Sequence, residues 1–374
     1  MKIQMVDLKG QYINIKEEID REIDSVLNET QFIGGRQVSE FASLLSSYLS
    51  SKYVIPCANG TDALQIALMG LGLDRGDEVI LPAFTYAATA EVVALLGLTP
   101  VLADVHPDSF NINASQIPLL VSERTKAIMP VHLFGQSAEM STIMEMAGRY
   151  GLKVIEDNAQ ALGARYTLSD GKVKSCGTIG DVGCTSFFPS KNLGCYGDGG
   201  ALFTQDEELA EKLKMIANHG QREKYCHDVV GCNSRLDTIQ AAILKIKLSH
   251  LDSYTSARQK AASIYRELLA EVEEILLPSE MPDTTHVYHQ FTIRSNEREA
   301  LKEYLQKVGV PTMVYYPLPI QRQLAFREKV VIRCELTVSE RVSDKVLSLP
   351  MHTELTFEEQ KFIAESIKKF YNRK

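Results

Sequence analysis

No apolar run in the chain is long enough to cross a bilayer. The longest, such as "AEVVALLGL", stop well short of the about 20 residues a spanning helix needs. The opening, "MKIQMVDLKGQYINIKEEIDREI", is charged throughout and has no apolar core of signal-peptide length, so no targeting leader is expected. None of the seven cysteines forms a C-x-x-C pair, and their number is odd. Neither a disulfide framework nor a zinc site is expected from that spacing; free thiols in a reducing cytoplasm are. Positive charge is also short. Forty Lys and Arg stand against 48 Asp and Glu, for a net charge of −8, which argues against a nucleic-acid backbone as the main partner. A local basic pocket for a small anion stays open. Repeats, low-complexity tracts and linker-like stretches are absent.

The 374 residues suffice for two domains with a substantial core. Helical spacing is predicted from about Leu8 to Glu29 and again from Val38 to Leu49. Strand and helix then alternate. "KYVIPC" reads as strand and "GTDALQIALMGL" as helix; "DEVILP" and "TPVLADV" flank a helix in "TYAATAEVVALLG"; "TKAIMPVHL" and "LKVIEDN" flank another in "EMSTIMEMAGRYG". Such alternation predicts an α/β fold with a mostly parallel sheet covered by helices on both faces. The pattern changes near residue 250. A long helix over roughly Leu236 to Leu269, strands in "VYHQFTI" and "PTMVYYP", and helices in "EREALKEYLQKVG" and about Phe357 to Tyr371 suggest a smaller α/β domain. The expected division is 1–250 for a large domain and 251–374 for a small one.

Three motifs carry chemistry. In "IPCANGTDALQIAL" a strand runs into a helix start, where unpaired N–H groups bind anions. Gly60 would let backbone approach a phosphate, and Thr61 adds a hydroxyl; an ordinary cap by Asn59 or Thr61 is the plainer reading. In "VIEDNAQALGA", Glu156 and Asp157 end an apolar strand at the sheet edge where open α/β folds bind ligands. Either could be a metal ligand with His132 or His219, a general base, a partner for a buried cation, or a simple loop acid. Lys191 follows Asp157 by 34 residues in "TSFFPSKNLGCYGDGG", bracketed by Ser186 and Ser190 and preceded by Phe187, Phe188 and Pro189. A desolvated amine has a lowered pKa and can form a Schiff base; a solvent-facing lysine is the alternative. In this order, a phosphate cup, a strand-end Asp and a strand-end Lys form the set that pyridoxal phosphate requires. An aromatic to stack on the ring could be Phe84 or Tyr86.

With these motifs the sequence resembles the DegT/StrS family of nucleotide-sugar aminotransferases, which have the aspartate-aminotransferase fold (fold type I). The resemblance runs from "DLKGQY" to "LSLPMH" through "CANGTDAL", "FTYAATAE", "GCNSRLDTIQAAIL" and "YYPLPIQRQ". It is nearest to members that aminate C3 of UDP-2-acetamido-2-deoxy-3-oxo-glucuronate, with dTDP-keto-deoxyhexose amination as the neighbouring activity. The resemblance implies pyridoxal phosphate as cofactor and L-glutamate as amino donor. It implies a cytoplasmic homodimer with shared sites, no metal, no nucleic acid and no membrane. By it, Lys191 carries the Schiff base and Asp157 partners the pyridine nitrogen. Gln160 lies near the phenolic oxygen, and Gly60, Thr61 and Ser186 hold the phosphate. Tyr86 stacks on the ring. Asn233 reaches the neighbouring subunit's cofactor, Arg235 lies at the same cross-subunit site, and Tyr315 and Tyr316 line the sugar pocket. Uronate-aminating members tend to carry His-Tyr where this chain has Tyr315–Tyr316. Dehydratase members replace the lysine with histidine; this chain keeps Lys191. A catalytically inactive cofactor-binding regulator is the rival role. The stripe Leu236, Ile239, Ile243 and Ile246 fits either a dimer face or the chain's own core.

Overall fold

The computed structural model describes residues 3–372. An eight-stranded sheet forms its centre, in the order Tyr53–Cys57, Gly200–Thr204, Val182–Ser186, Lys153–Asp157, Thr125–Ile128, Glu78–Pro82, Thr99–Ala103 and Val331–Ile332. Only Gly200–Thr204 runs against the rest. Strand residues alternate between two cores, as the pleat requires. Val79 and Leu81 meet the helix Gly60–Leu71 through Leu64 and Ala67, while Ile80 and Val154 meet Met140–Tyr150 through Ile143. With helices on both faces, the parallel strands can be apolar along their whole length.

A further core gathers around the small sheet of Ile275–Leu276, Phe291–Ser295 and Val346–Leu349. Leu251–Leu269, Arg298–Lys307 and Phe357–Tyr371 cover it, and Ile3 joins it from the other end of the chain. The strand Val331–Ile332 crosses back to the edge of the large sheet. Arg333, directly after it, holds Glu78 at 2.7 Å. That hydrogen bond lowers the Glu78 pKa to about 2 despite the opposing cost of burial.

Several predicted elements are broken where packing demands it. The first helix divides at Ile15 into Leu8–Asn14 and Lys16–Glu29, and Ile15 turns inward beside Ile19 and Ile243. The long helix divides at His250 into Thr238–Ser249 and Leu251–Leu269. Leu244 and Leu248 before the break and Leu251 just after it pack into the core around Phe41 and Phe187, and Ala261, Tyr265 and Leu269 reach the core of the small sheet. One straight helix cannot serve both. In "VYHQFTI" only Phe291 onward is strand, because residues 287–290 bond instead to the 134–135 turn. "PTMVYYP" forms no strand; Met313 makes a single bridge to Ser348. Ile243 packs on Ile15 and Ile19, with Ile239 and Ile246 partly buried beside them, so this stripe serves the chain's own core. No described helix is long and apolar enough to cross a membrane.

Candidate active site

Parallel strands end on one edge of the large sheet, and a cavity of about 530 Å³ lies there. Gly60, Thr61, Tyr86, Asp157, Gln160, Ser186, Lys191, Tyr315 and Tyr316 all line it, although they span more than 250 positions of the chain. Phe84 does not. It is fully buried among Phe110, Phe134 and Tyr316, so of the two stacking candidates only Tyr86 reaches the cavity.

The expected phosphate cup lies where two strand ends meet. Strand Tyr53–Cys57 delivers Asn59, whose side chain accepts from Asp62 N–H at 2.8 Å and starts the helix. Asn59 is therefore the cap, as the plainer reading had it, and the first N–H groups, those of Gly60 and Thr61, stay available at the cavity. Gly60 is required by closeness: a Cβ there would come within 2.6 Å of Ser186 Cβ. This approach brings the Ser186 hydroxyl beside the helix start.

Lys191 is positioned by the turn after strand Val182–Ser186. Its N–H donates to Phe188 O at 2.8 Å, and the neighbouring Asn192 side chain donates to Val287 O at 2.9 Å. The amine sits deep enough that burial lowers its pKa to about 8, against the opposing charge of Asp157. Asp157 accepts from Thr89 Oγ1 at 2.9 Å and from Ala159 N–H at 3.2 Å. Burial raises its pKa, and those two hydrogen bonds and the Lys191 charge oppose the rise. Gln160 is fixed at both ends: Phe134 N–H donates to its Oε1 at 2.8 Å, and its Nε2 donates to Tyr316 Oη at 2.9 Å.

Glu156 faces the other way. It accepts N–H bonds from Gly177, Ile179 and Gly180 at 2.8, 2.6 and 2.6 Å and meets His132 at 2.9 Å. Burial raises its pKa, but the hydrogen bond and charge of His132 and the backbone N–H groups outweigh it and leave the group below its usual value. Its oxygens are taken up in tying together the loops that carry the site. Glu156 and His132 thus form a structural pair, and the metal reading loses both.

Asn233 and Arg235 do not line the cavity; both are exposed. Between them, Ser234 is buried and accepts from Ala58 N–H at 3.1 Å, which pins the segment next to the phosphate cup. Sequence reasoning missed two buried groups here. Thr89 lies four residues from Thr85 in "FTYAATAE", a helical spacing that could have paired them. His289 lines the cavity, and its pKa is pushed well down by burial, then by Lys191 and Arg258. The bend that inserts it needs Gly135 (φ +108), where a Cβ would lie 2.9 Å from the N atoms of Tyr288 and His289. No sequence pattern announced that approach.

A glycine-floored anion cup, a buried carboxylate and an amine of lowered pKa in one cavity define a pyridoxal-phosphate enzyme of the aspartate-aminotransferase fold. Residues 13–368 match the DegT/DnrJ/EryC1/StrS aminotransferase family, and the chain belongs to that family. It is 46% identical over 365 residues to a UDP-2-acetamido-2-deoxy-3-oxo-D-glucuronate aminotransferase of Pseudomonas aeruginosa, covering 98% of this chain and 99% of that one. It is 45% identical over 373 residues to a pleiotropic regulatory protein of Geobacillus stearothermophilus, covering 99% of each. The crystal structure of S. venezuelae DesV in complex with a ketimine intermediate has a TM-score of 0.95 and 38% identity over 100% of this chain and 99% of that one.

Proposed function

We propose that the protein moves an amino group from L-glutamate to C3 of a UDP- or dTDP-linked 3-keto sugar, as a cytoplasmic enzyme of polysaccharide or cell-surface glycan synthesis. The observation that carries this reading is the meeting of Lys191 and Asp157 in one cavity beside the Gly60–Thr61–Ser186 cup. Bound pyridoxal phosphate supplies an aldehyde carbon that condenses with amines and a ring that takes up electrons. Gly60, Thr61 and Ser186 hold its phosphate, and Asp157 keeps the proton on its ring nitrogen. Gln160 and Tyr86, which line the same cavity, would meet the cofactor's phenolic oxygen and its ring.

Lys191 Nζ does the proton work. With a pKa of about 8, a useful fraction of the amine is neutral near pH 7. It takes a proton from the donor's α-carbon in one half-reaction. In the other it delivers one to the sugar carbon that gains nitrogen; the donor leaves as its keto acid before the sugar is aminated, so kinetics are ping-pong. Tyr315 and Tyr316, neutral phenols whose pKa burial raises further, read sugar hydroxyls. A division at 1–250 and 251–374 goes with this reading, and the helix break at His250 supports it.

The test is direct. Glutamate should bleach the near-ultraviolet to violet absorbance of the holoenzyme. A panel of UDP- and dTDP-3-keto sugars should then restore it, with the amino-sugar nucleotide identified by mass. Bleaching without product from any sugar would overturn the substrate assignment. The regulator role, suggested by one relative's name, calls for a missing catalytic group; the presence of Lys191 and Asp157 in one cavity supports turnover instead.

The site also calls for a partner. Lys191 is the one Lys or Arg among the residues lining the cavity, and it is committed to the chemistry. A nucleotide diphosphate and a glutamate carboxylate need more positive charge. Exposed Asn233 and Arg235 flank the pinned Ser234, and in a two-fold dimer they would enter the neighbouring site. Mixing inactive Lys191→Ala and Arg235→Ala subunits should then restore about a quarter of parental activity, since half the random dimers are mixed and each has one intact site. No recovery after exchange verified with differently tagged chains would refute shared sites.

A further inference from the structure

Asp157 is bound by a side chain that no motif pointed to. Thr89, at the start of helix Ala88–Leu95 and 1% exposed, donates through Oγ1 to Asp157 Oδ2 at 2.9 Å. Behind it, Thr85 Oγ1 lies 3.3 Å from Thr89 Oγ1, and Thr85 also lines the cavity. We infer that Thr89, backed by Thr85, is a positioning residue of the transamination, which holds Asp157 as the carboxylate that the cofactor's ring nitrogen requires. The inference rests on the role proposed above for Asp157.

The physical reason lies in hydrogen-bond direction and strength. A carboxylate only accepts, so the Thr85 hydroxyl can donate to Thr89, and Thr89 to Asp157, without conflict. A protonated Asp157 could still accept through Oδ2, but as a neutral carboxyl it accepts more weakly, so the same two hydroxyls stabilise it less than they stabilise the anion. The pair therefore favours the anion, as a hydrogen bond to the charged form does. Burial acts the other way and is the larger effect. Each element around Asp157 contributes. Lys191 from the loop after strand Val182–Ser186 and His132 from beyond strand Thr125–Ile128 both favour the anion. Glu156, next in the chain, is taken up by His132. Cys184 on the adjoining strand and Tyr316 opposite are kept neutral by burial, with Asp157 itself adding to the effect. The Ala159 N–H is backbone. Thr89 is thus the side-chain donor that can be deleted without altering any charge.

Thr89→Val keeps the shape and removes the hydroxyl; Thr89→Ser keeps the hydroxyl. Cofactor retention by the holoenzyme, read by absorbance across pH, and turnover across pH are both measured. Losing this bond raises the Asp157 pKa further, so the anion is lost earlier as pH falls. In the Val variant the acid limb should move to higher pH, with retention weakened roughly tenfold to a hundredfold on that limb. At alkaline pH the variant should approach the parent, and Ser should restore the parental profile. A Val variant with the parent's profile overturns the inference. So does a loss equal at every pH that Ser does not repair, which would mark a merely structural role. If the Val variant does not melt cooperatively, Thr85→Val, one hydroxyl further away, should shift the limb in the same direction by less; no shift there also overturns it. Asp157→Asn, run in parallel, separates the two readings. Parental turnover in that variant removes the role of Asp157 itself. Lost turnover there beside an unshifted Thr89→Val profile removes only the role of Thr89.

Discussion

Lys191→Ala should lower turnover by at least roughly three orders of magnitude and leave the fold intact. In the role proposed for it, the amine is both the nucleophile that holds the cofactor and the carrier of the transferred proton, and its loss would remove both. The fold should not suffer. The side chain brings a cation into a region where burial already lowers its pKa to about 8, and removing it relieves that cost. The variant should still bind pyridoxal phosphate through the Gly60–Thr61–Ser186 cup, but without the absorbance of a lysine adduct. Borohydride treatment of the parent with cofactor, followed by peptide mapping, should mark Lys191. A mark on another lysine, or a variant with more than a tenth of parental turnover, would contradict the assignment.

Asp157→Asn should cost roughly a hundredfold to a thousandfold in turnover, the range for deleting one preorganised electrostatic group. A neutral amide cannot hold the ring nitrogen protonated, whereas Asp157→Glu keeps the charge and should keep more activity. Thr89 can still donate to the amide oxygen, so the local geometry should persist. Stability gives an independent check with a definite sign. Burial holds the folded pKa of Asp157 above the ordinary aspartate value of 3.8. Its carboxylate therefore costs stability at neutral pH, and that cost disappears as pH falls through the raised pKa toward 3.8. The cofactor-free Asn variant should melt at or above the parent at pH 7 and lose that advantage in acid. A variant that turns over like the parent would sink the role of Asp157, whatever its melting temperature.

The order of motifs along the chain, and the chemistry each residue type could supply, were legible in the sequence. Strand periodicity and apolar runs specify a parallel sheet because buried strands must be apolar on both faces. Consecutive strand–helix units then place Asn59, Asp157 and Ser186 at the same edge, because right-handed crossovers leave every parallel strand end on that side. Lys191 and Asp157 could thus be paired across 34 residues from the sequence alone. Element ends were less legible. The helix breaks at Ile15 and His250 follow from which core each side chain reaches, and neither has a glycine or proline to mark it.

The tertiary structure alone decided orientation and contact. Glu156 and Asp157 are adjacent acids of the same strand, yet the pleat sends one to a cage of N–H groups and the other to the cavity. Phe84 and Tyr86 looked alike as stacking candidates until packing buried the first among other aromatics. The bonds from Thr89 to Asp157 and from Gln160 to Tyr316 join positions 68 and 156 residues apart. Such contacts follow from how helices and loops are laid over the sheet, and side-chain direction across that distance is not encoded in any local period.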